Sequence, residues 1–328
     1  VKNILEEINM INRREVIFGI GGSLLASKFA EARIPDITFV VPSTPGGSSD
    51  ISGRMLARGI TAATSTPIAV TNRNAGTGVE GAMHVLNSGS DSGNVLIGGP
   101  NGLFFSPARV NLLYNHESFE PVCMFSMASF VLVSRADKFQ NINELLNAMR
   151  QRPINFAYSQ DDGRYLIEKM SKIVDGHDVV TIAYRGGGEA VRDLHAGVVD
   201  VAITSLASVA GGVQGGALQL LAHSSDSGNI PAYPNIPNIR DVLNSDEPAL
   251  TTYHWHGLYL AKGAPQQLIH FLQNSTKNIC ENSSFISDHI SRGMVSRYMD
   301  SIQLREHHAK LAPYMIGYIS WLRGVSGR

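Results

Sequence analysis

The chain has 328 residues, enough for one large domain or two of ordinary size, and 43% of them are hydrophobic against 17% charged. That balance describes a globular protein with ample apolar material for a core, and excludes a disordered one. Twenty-seven Lys and Arg face 28 Asp and Glu, a net charge of −1, so no basic surface suited to nucleic acid is expected.

The first segment reads differently from the rest. Arg13-Arg14 precedes the apolar run Val16-Ile17-Phe18-Gly19-Ile20-Gly21-Gly22-Ser23-Leu24-Leu25-Ala26, and Ala30-Glu31-Ala32 gives a small-x-small ending. A basic start, an apolar stretch of about eleven residues and that ending are the marks of a secretory signal peptide, placed here at residues 1–32. The stretch falls short of the roughly 20 apolar residues a spanning helix needs. An ordinary amphipathic helix fits poorly, because no polar face repeats at helical spacing through residues 16–26. The arginine pair resembles a twin-arginine export signal, although general secretory signals also carry basic pairs. With no Cys near the cleavage site, no lipid anchor is expected there. Periplasmic export is the reading. Cys123 and Cys280 are the only cysteines and lie far apart, so they are read as buried free thiols and not as a disulfide framework.

From residue 36 onward short apolar runs alternate with helix-like segments. Ile37-Thr38-Phe39-Val40-Val41 reads as a buried strand, followed by a helix beginning near Ser48-Ser49-Asp50. Further strands are read at residues 67–71, 95–99, 130–133, 155–158, 179–183, 199–203, 218–222 and 257–261. Helices are placed at 162–174, 187–196 and 206–214, and the pattern after residue 261 reads as mostly helical. Strands alternating with helices predict an α/β protein with mainly parallel sheets. Ligands of such sheets bind on loops leading from strand ends into helices.

Four of those loops are rich in Gly and small polar residues: residues 43–50, 100–102, 159–163 and 184–188. Glycine lets a backbone approach a ligand, and a helix N-terminus offers unpaired N–H groups with partial positive charge, which suits a carboxylate or phosphate. Arg185 adds a charged donor. One such loop is most simply a sharp turn. Four of them at equivalent strand ends point to a cleft.

Here a resemblance becomes specific. Residues 37–54 (ITFVVPSTPGGSSDISGR), 70–82 (VTNRNAGTGVEGA), 98–115 (GGPNGLFFSPARVNLLYN), 182–203 (IAYRGGGEAVRDLHAGVVDVAI) and 255–265 (WHGLYLAKGAP) resemble, in order, segments of the tripartite tricarboxylate transporter receptors, or Bug family. The resemblance implies a type II periplasmic-binding-protein fold, in which two lobes close on a small carboxylate. It implies lobe one at residues 33–130 plus 254–328 and lobe two at 131–253, with chain crossings near 127–133 and 250–257. The implied ligand residues are Ser43, Thr44, Pro45, Gly46, Gly47 and Ser48 in the first loop, then Asn101 and Gly102, then Ser159, Gln160 and Asp161. Tyr184, Arg185, Gly186, Gly187, Gly188 and the strand-end Ser205 complete the set. Asp50 is expected to cap its helix.

Two departures from the family pattern stand out. Ser43 replaces a bulky apolar residue, and the third loop carries Asp161 and Asp162 in place of a glycine-and-serine run. Two acids disfavour a second anionic group, so a ligand with one carboxylate and a neutral or cationic far end, such as an amino acid or an amide, is expected to fit better than the family's usual dicarboxylate. The expected partners are inner-membrane transporter subunits or, on the alternative reading, a sensor kinase, with the receptor itself a monomer.

No G-x-S-x-G elbow, Walker loop or full dinucleotide fingerprint occurs, so no catalytic residue, cofactor or enzyme activity is expected. His254-x-His256 and His307-His308 lack acidic or Cys partners at metal-binding spacing. The first pair is read as neighbours of Trp255 near the lobe crossing and the second as a surface stretch.

Overall fold

The β-branched and aromatic run after Asp36 forms strand β1 (Ile37–Val41), and it starts an alternation of strand and helix: α1 (Ser48–Thr64), β2 (Ile68–Asn72), α2 (Val79–Asn87) and β3 (Asn94–Gly98). The computed structural model describes residues 34–76, 78–105, 107–108, 114–225, 229–251 and 253–326. The signal-peptide reading lies outside them. β1 pairs in parallel with both β2 and β3.

Strand β4 (Phe119–Arg135) then runs for 17 residues and belongs to two sheets. After it come α3 (Ile142–Gln151), β5 (Asn155–Tyr158), α4 (Asp161–Ile173), β6 (Val180–Ala183), α5 (Gly187–His195), β7 (Val201–Ser205), α6 (Leu206–Gln214), β8 (Leu218–His223) and α7 (Ile239–Leu243). The chain ends with β9 (Tyr253–Ala261), α8 (Gln266–Cys280), α9 (Ser283–Ser291), β10 (Met294–Met299), α10 (Ser301–Lys310) and α11 (Ala312–Ser326).

The first part of β4 lies antiparallel to β9, from Phe119 opposite Ala261 to Ser129 opposite Tyr253, with β10 on its other side. Its second part lies antiparallel to β7, from Phe130 opposite Ser205, with β8 on its other side. β4 therefore leaves one sheet and enters the other between Ser129 and Phe130. The first sheet is ordered β2-β1-β3-β9-β4, the second β6-β5-β7-β4. Each has a parallel flank of three strands and antiparallel pairing around β4, so the sheets are mixed.

Side-chain alternation builds a core on both faces of the second sheet. Phe130, Leu132, Phe156, Tyr158, Val201 and Ile203 face α3 and α4, while Val131, Val133, Ala157 and Ala202 face Leu194 and Val209 of the opposite layer. In the first sheet, Val40, Leu96, Met124, Trp255 and Tyr259 form one buried cluster. The last helix packs its Tyr318 against Phe105 and Tyr165, and Trp321 Nε1 donates to Glu168 of α4 at 2.9 Å. Among the described residues no helix is long and apolar enough to cross a membrane.

Several elements differ from the sequence reading. β4 extends eleven residues upstream of the apolar run at 130–133, β9 begins four residues before 257, and β10 occupies a stretch read as helical. β10 pairs only with β4, and its burial alternates, so it carries the mixed polar pattern of an edge strand. His308 is also not a surface residue: it is buried, 2.9 Å from the Tyr259 hydroxyl, and burial holds its imidazole down at about 3. Cys123 and Cys280 are both buried and free.

Candidate functional site

Four helices begin at one cavity. Their N-cap residues, Gly47 for α1, Gln160 for α4, Gly186 for α5 and Ser205 for α6, all stand on its wall, and none is capped by a side-chain hydrogen bond. Asn141, Asn238, Asn282 and Asp300 cap helices elsewhere in the molecule, while the starts of α2 and α8 also lack a side-chain cap. What sets these four apart is that their N-termini bring first-turn N–H groups and partial positive charge to one place. α1 rises from the first sheet, and α4, α5 and α6 follow strands of the second, so the cavity lies where the two lobes meet.

The cavity measures about 50 Å³, room for about four water-sized groups. Ser43, Gly47, Ser48, Gly102, Ser159, Gln160, Arg185, Gly186, Gly187 and Ser205 line it, as the sequence reading expects of a ligand site. Thr44, Pro45, Asp161, Tyr184 and Gly188 are not on this wall, and neither is Gly46. Asn101 opens the π-helical turn Asn101–Phe105 beside it. Tyr184 turns its hydroxyl onto Asp193 at 2.9 Å, and burial and that carboxylate push the phenol up to about 12. Asp161 and Asp162 are buried in the first turn of α4, where the helix dipole favours them, and do not face the cavity. The two acids therefore do not act on the ligand as wall groups.

The first loop is held from behind. Asp50 is not the N-cap of α1; it lies in the first turn, where its Oδ2 accepts from Gly46 N–H at 3.0 Å and its Oδ1 from Arg54 and Asn72, each at 2.9 Å. Asn72 also donates to the Ser43 carbonyl at 3.0 Å. This network holds Gly46 at φ +82°, a left-handed conformation suited to glycine, and the next N–H, that of Gly47, closes the turn on the Thr44 carbonyl at 3.3 Å. Asn72, at the end of β2, thus supports the loop of β1.

Close backbone approach explains a second glycine. A Cβ on Gly186 would stand 2.0 Å from Thr44 Oγ1 and 3.2 Å from Thr44 N, so the loop after β6 touches the loop after β1 directly.

Ser49 of the first loop and Thr204 at the end of β7 also stand on the wall, and sequence reasoning missed the rest of it: Pro42, Ile97, Gly99, Phe130, Ser208 and His254. His254 is 3% exposed, with Nε2 3.4 Å from Ser49 Oγ, and burial holds its imidazole down at about 3. His256 makes the matching contact to Ser48 Oγ at 3.2 Å and is likewise held neutral, by burial and then by His254 and His289. The i, i+2 spacing set both on one strand face; what that face met was not visible. Among the described residues no group of three or more His, Cys, Asp or Glu is placed to hold a metal.

The tripartite tricarboxylate transporter family receptor profile matches residues 53–311. The chain belongs to that family. It is 29% identical over 272 residues, 79% of each chain, to a protein encoded in the tcbD–tcbE intergenic region of Pseudomonas sp. (strain P51). Its fold is that of two solved Rhodopseudomonas palustris proteins. Rpa4515 with adipate superposes at TM-score 0.77 and 20% identity, covering 88% of this chain and 99% of that one. MatC with bound malate superposes at TM-score 0.72 and 19% identity, covering 89% and 99%. The receptor thus has the two-lobed periplasmic-binding architecture, and its family is one of receptors, not enzymes.

Proposed function

We propose that this receptor captures a small carboxylate-bearing metabolite in the periplasm and delivers it to a tripartite tricarboxylate-type transporter in the inner membrane. The observation that carries the reading is the convergence of four uncapped helix N-termini on one cavity. Such termini stabilise an anion through backbone N–H groups and need no cationic side chain. The adipate and malate found with the two Rhodopseudomonas proteins support a carboxylate. On this reading residues 1–32 direct export and are removed, lobe one comprises residues 33–130 plus 254–328, and lobe two residues 131–253. The change of sheet between Ser129 and Phe130 supports a hinge there, with the return near residues 250–257.

Two measurements test the reading. Calorimetric titration with short mono- and dicarboxylates, including malate and adipate, should show binding to at least one, with none for neutral sugars of similar size. Binding confined to uncharged compounds would refute the carboxylate. Deletion of the transporter's membrane subunits should abolish uptake of the bound compound. Uptake unchanged in that strain would refute the transport role.

A further inference from the structure

The last helix is rooted in one lobe and gripped by the other. Leu311, just before α11, and Met315 in its first turn pack on the cluster of the first sheet that holds Val40, Leu96 and Leu304. Further along, Tyr318 is fully buried, with ring centres 4.8 Å from Phe105 and 5.8 Å from Tyr165. Phe105 ends the turn after β3 that puts Gly102 on the cavity wall, and Tyr165 lies on α4, which starts at the same wall with Gln160. Tyr318 therefore fills the gap between two wall elements that belong to different sheets.

The far end of α11 is held by α4. Trp321 Nε1 donates to Glu168 Oε2 at 2.9 Å, the indole lies 5.1 Å from the Tyr165 ring, and the Arg164 guanidinium stands 5.3 Å from its centre. Glu168 Oε1 also accepts from Arg164 Nε at 2.9 Å, so three residues of one helix hold one side chain. Beside the strand crossings of β4 and β9, this is a connection between the lobes made by side chains. Opening the cleft about those crossings moves α4 away from the turn at 101–105. Either Tyr318 then parts from one of its two neighbours, or Trp321 parts from α4. Both routes expose aromatic surface, so these contacts favour the closed arrangement.

Resting on the division into lobes and the carboxylate reading above, we propose that α11 is a strap that holds the cleft closed, with Trp321 as its clasp. Among the described residues none of α11 stands on the cavity wall, so the strap acts on affinity through closure. A receptor that is closed for a smaller fraction of the time binds more weakly by the same factor.

The test uses the purified receptor and two substitutions away from the cavity. Trp321→Ala removes the clasp. Glu168→Ala leaves the indole in place and removes its acceptor; should the first variant not fold, this one, at a partly exposed position, carries the test by itself. Small-angle X-ray scattering of the unliganded proteins should give each variant a larger radius of gyration than the parent. Saturating malate or adipate, whichever the parent binds, should bring it back to the parent's liganded value. Calorimetry should show dissociation constants about tenfold higher, and stopped-flow mixing a faster dissociation at an unchanged association rate. Variants that lose thermal stability but keep the parent's radius of gyration, affinity and dissociation rate overturn the strap and leave α11 a cover for the core. If neither acid binds the parent, it is the carboxylate reading that fails, and the radii of the unliganded variants still decide the strap.

Discussion

A methyl group at Gly186 should hold the cleft open. In the closed arrangement its Cβ would sit 2.0 Å from Thr44 Oγ1, more than an ångström inside ordinary contact, and 3.2 Å from both Thr44 Cβ and Thr44 N. Gly186 has φ −178°, extended backbone that alanine adopts freely, so the effect is steric and not conformational. Thr44 Oγ1 has no hydrogen-bond partner and can rotate away, which leaves the two 3.2 Å contacts to be relieved by a few tenths of an ångström. Overpacking of this kind costs about 1–3 kcal/mol, and the rotation places Gly186→Ala in the lower half of that range. Because Thr44 and Gly186 belong to opposite lobes, the cost falls on closing and not on folding. The dissociation constant for the tightest carboxylate should rise about 5- to 30-fold by calorimetry, while the thermal midpoint of the unliganded protein stays the same. Adding Thr44→Gly, which removes both Oγ1 and Cβ, should recover part of the loss. Unchanged affinity in Gly186→Ala, or a loss that Thr44→Gly does not relieve, would refute the direct contact between the loops. Gly187 is a poorer probe, since a Cβ there meets Ser208 and Thr204 of its own lobe at 2.5 and 2.6 Å.

Gly102→Ala projects a methyl where no atom lies within 4 Å, so it should leave stability equal or raise it by about 0.4–1 kcal/mol while weakening longer ligands such as adipate more than succinate; equal losses for all lengths would remove Gly102 from the cavity wall. Asp50→Ala strips partners from Gly46 N–H, Arg54 and Asn72 and should cost about 1.5–3 kcal/mol in urea unfolding, together with weaker binding, because the first loop loses its support. Acid should destabilise the fold early. His254 and His308 are held by burial at about 3 and His289 at about 4, below the unfolded value of about 6.5. Between those values the unfolded chain binds protons that the folded chain does not, so stability is full above pH ~6.5 and falls as pH drops, by about 1.4 kcal/mol per pH unit for each imidazole. Urea midpoints from pH 7 to 5 should show the decline, and His308→Gln should reduce its slope; a flat profile would contradict the neutral buried histidines.

The local chemistry of the loops was legible in the sequence because it is written within a few residues. Residues 43–50 and 184–188 place glycine and small polar groups between a strand end and a helix start, and seven of their residues line the cavity. The helices at α4, α5 and α6 were likewise visible, from apolar spacing alone, to within a residue of their ends. What sequence could not decide is which surfaces face each other. Asp161 and Asp162 looked like cleft acids, yet the start of α4 turns both into buried first-turn positions off the wall. His254 looked like a packing neighbour of Trp255, and only the antiparallel pairing of β9 with β3 and β4 carries it to Ser49 and the cavity, 205 positions away in the chain. Pairing between distant segments also hid β10 and the first half of β4, which carries Pro121: β4 and β10 pair with one another, and β4 with β9. Local spacing sets what each residue can offer; long-range strand pairing, which depends on contacts absent from any short window, sets what it is offered to.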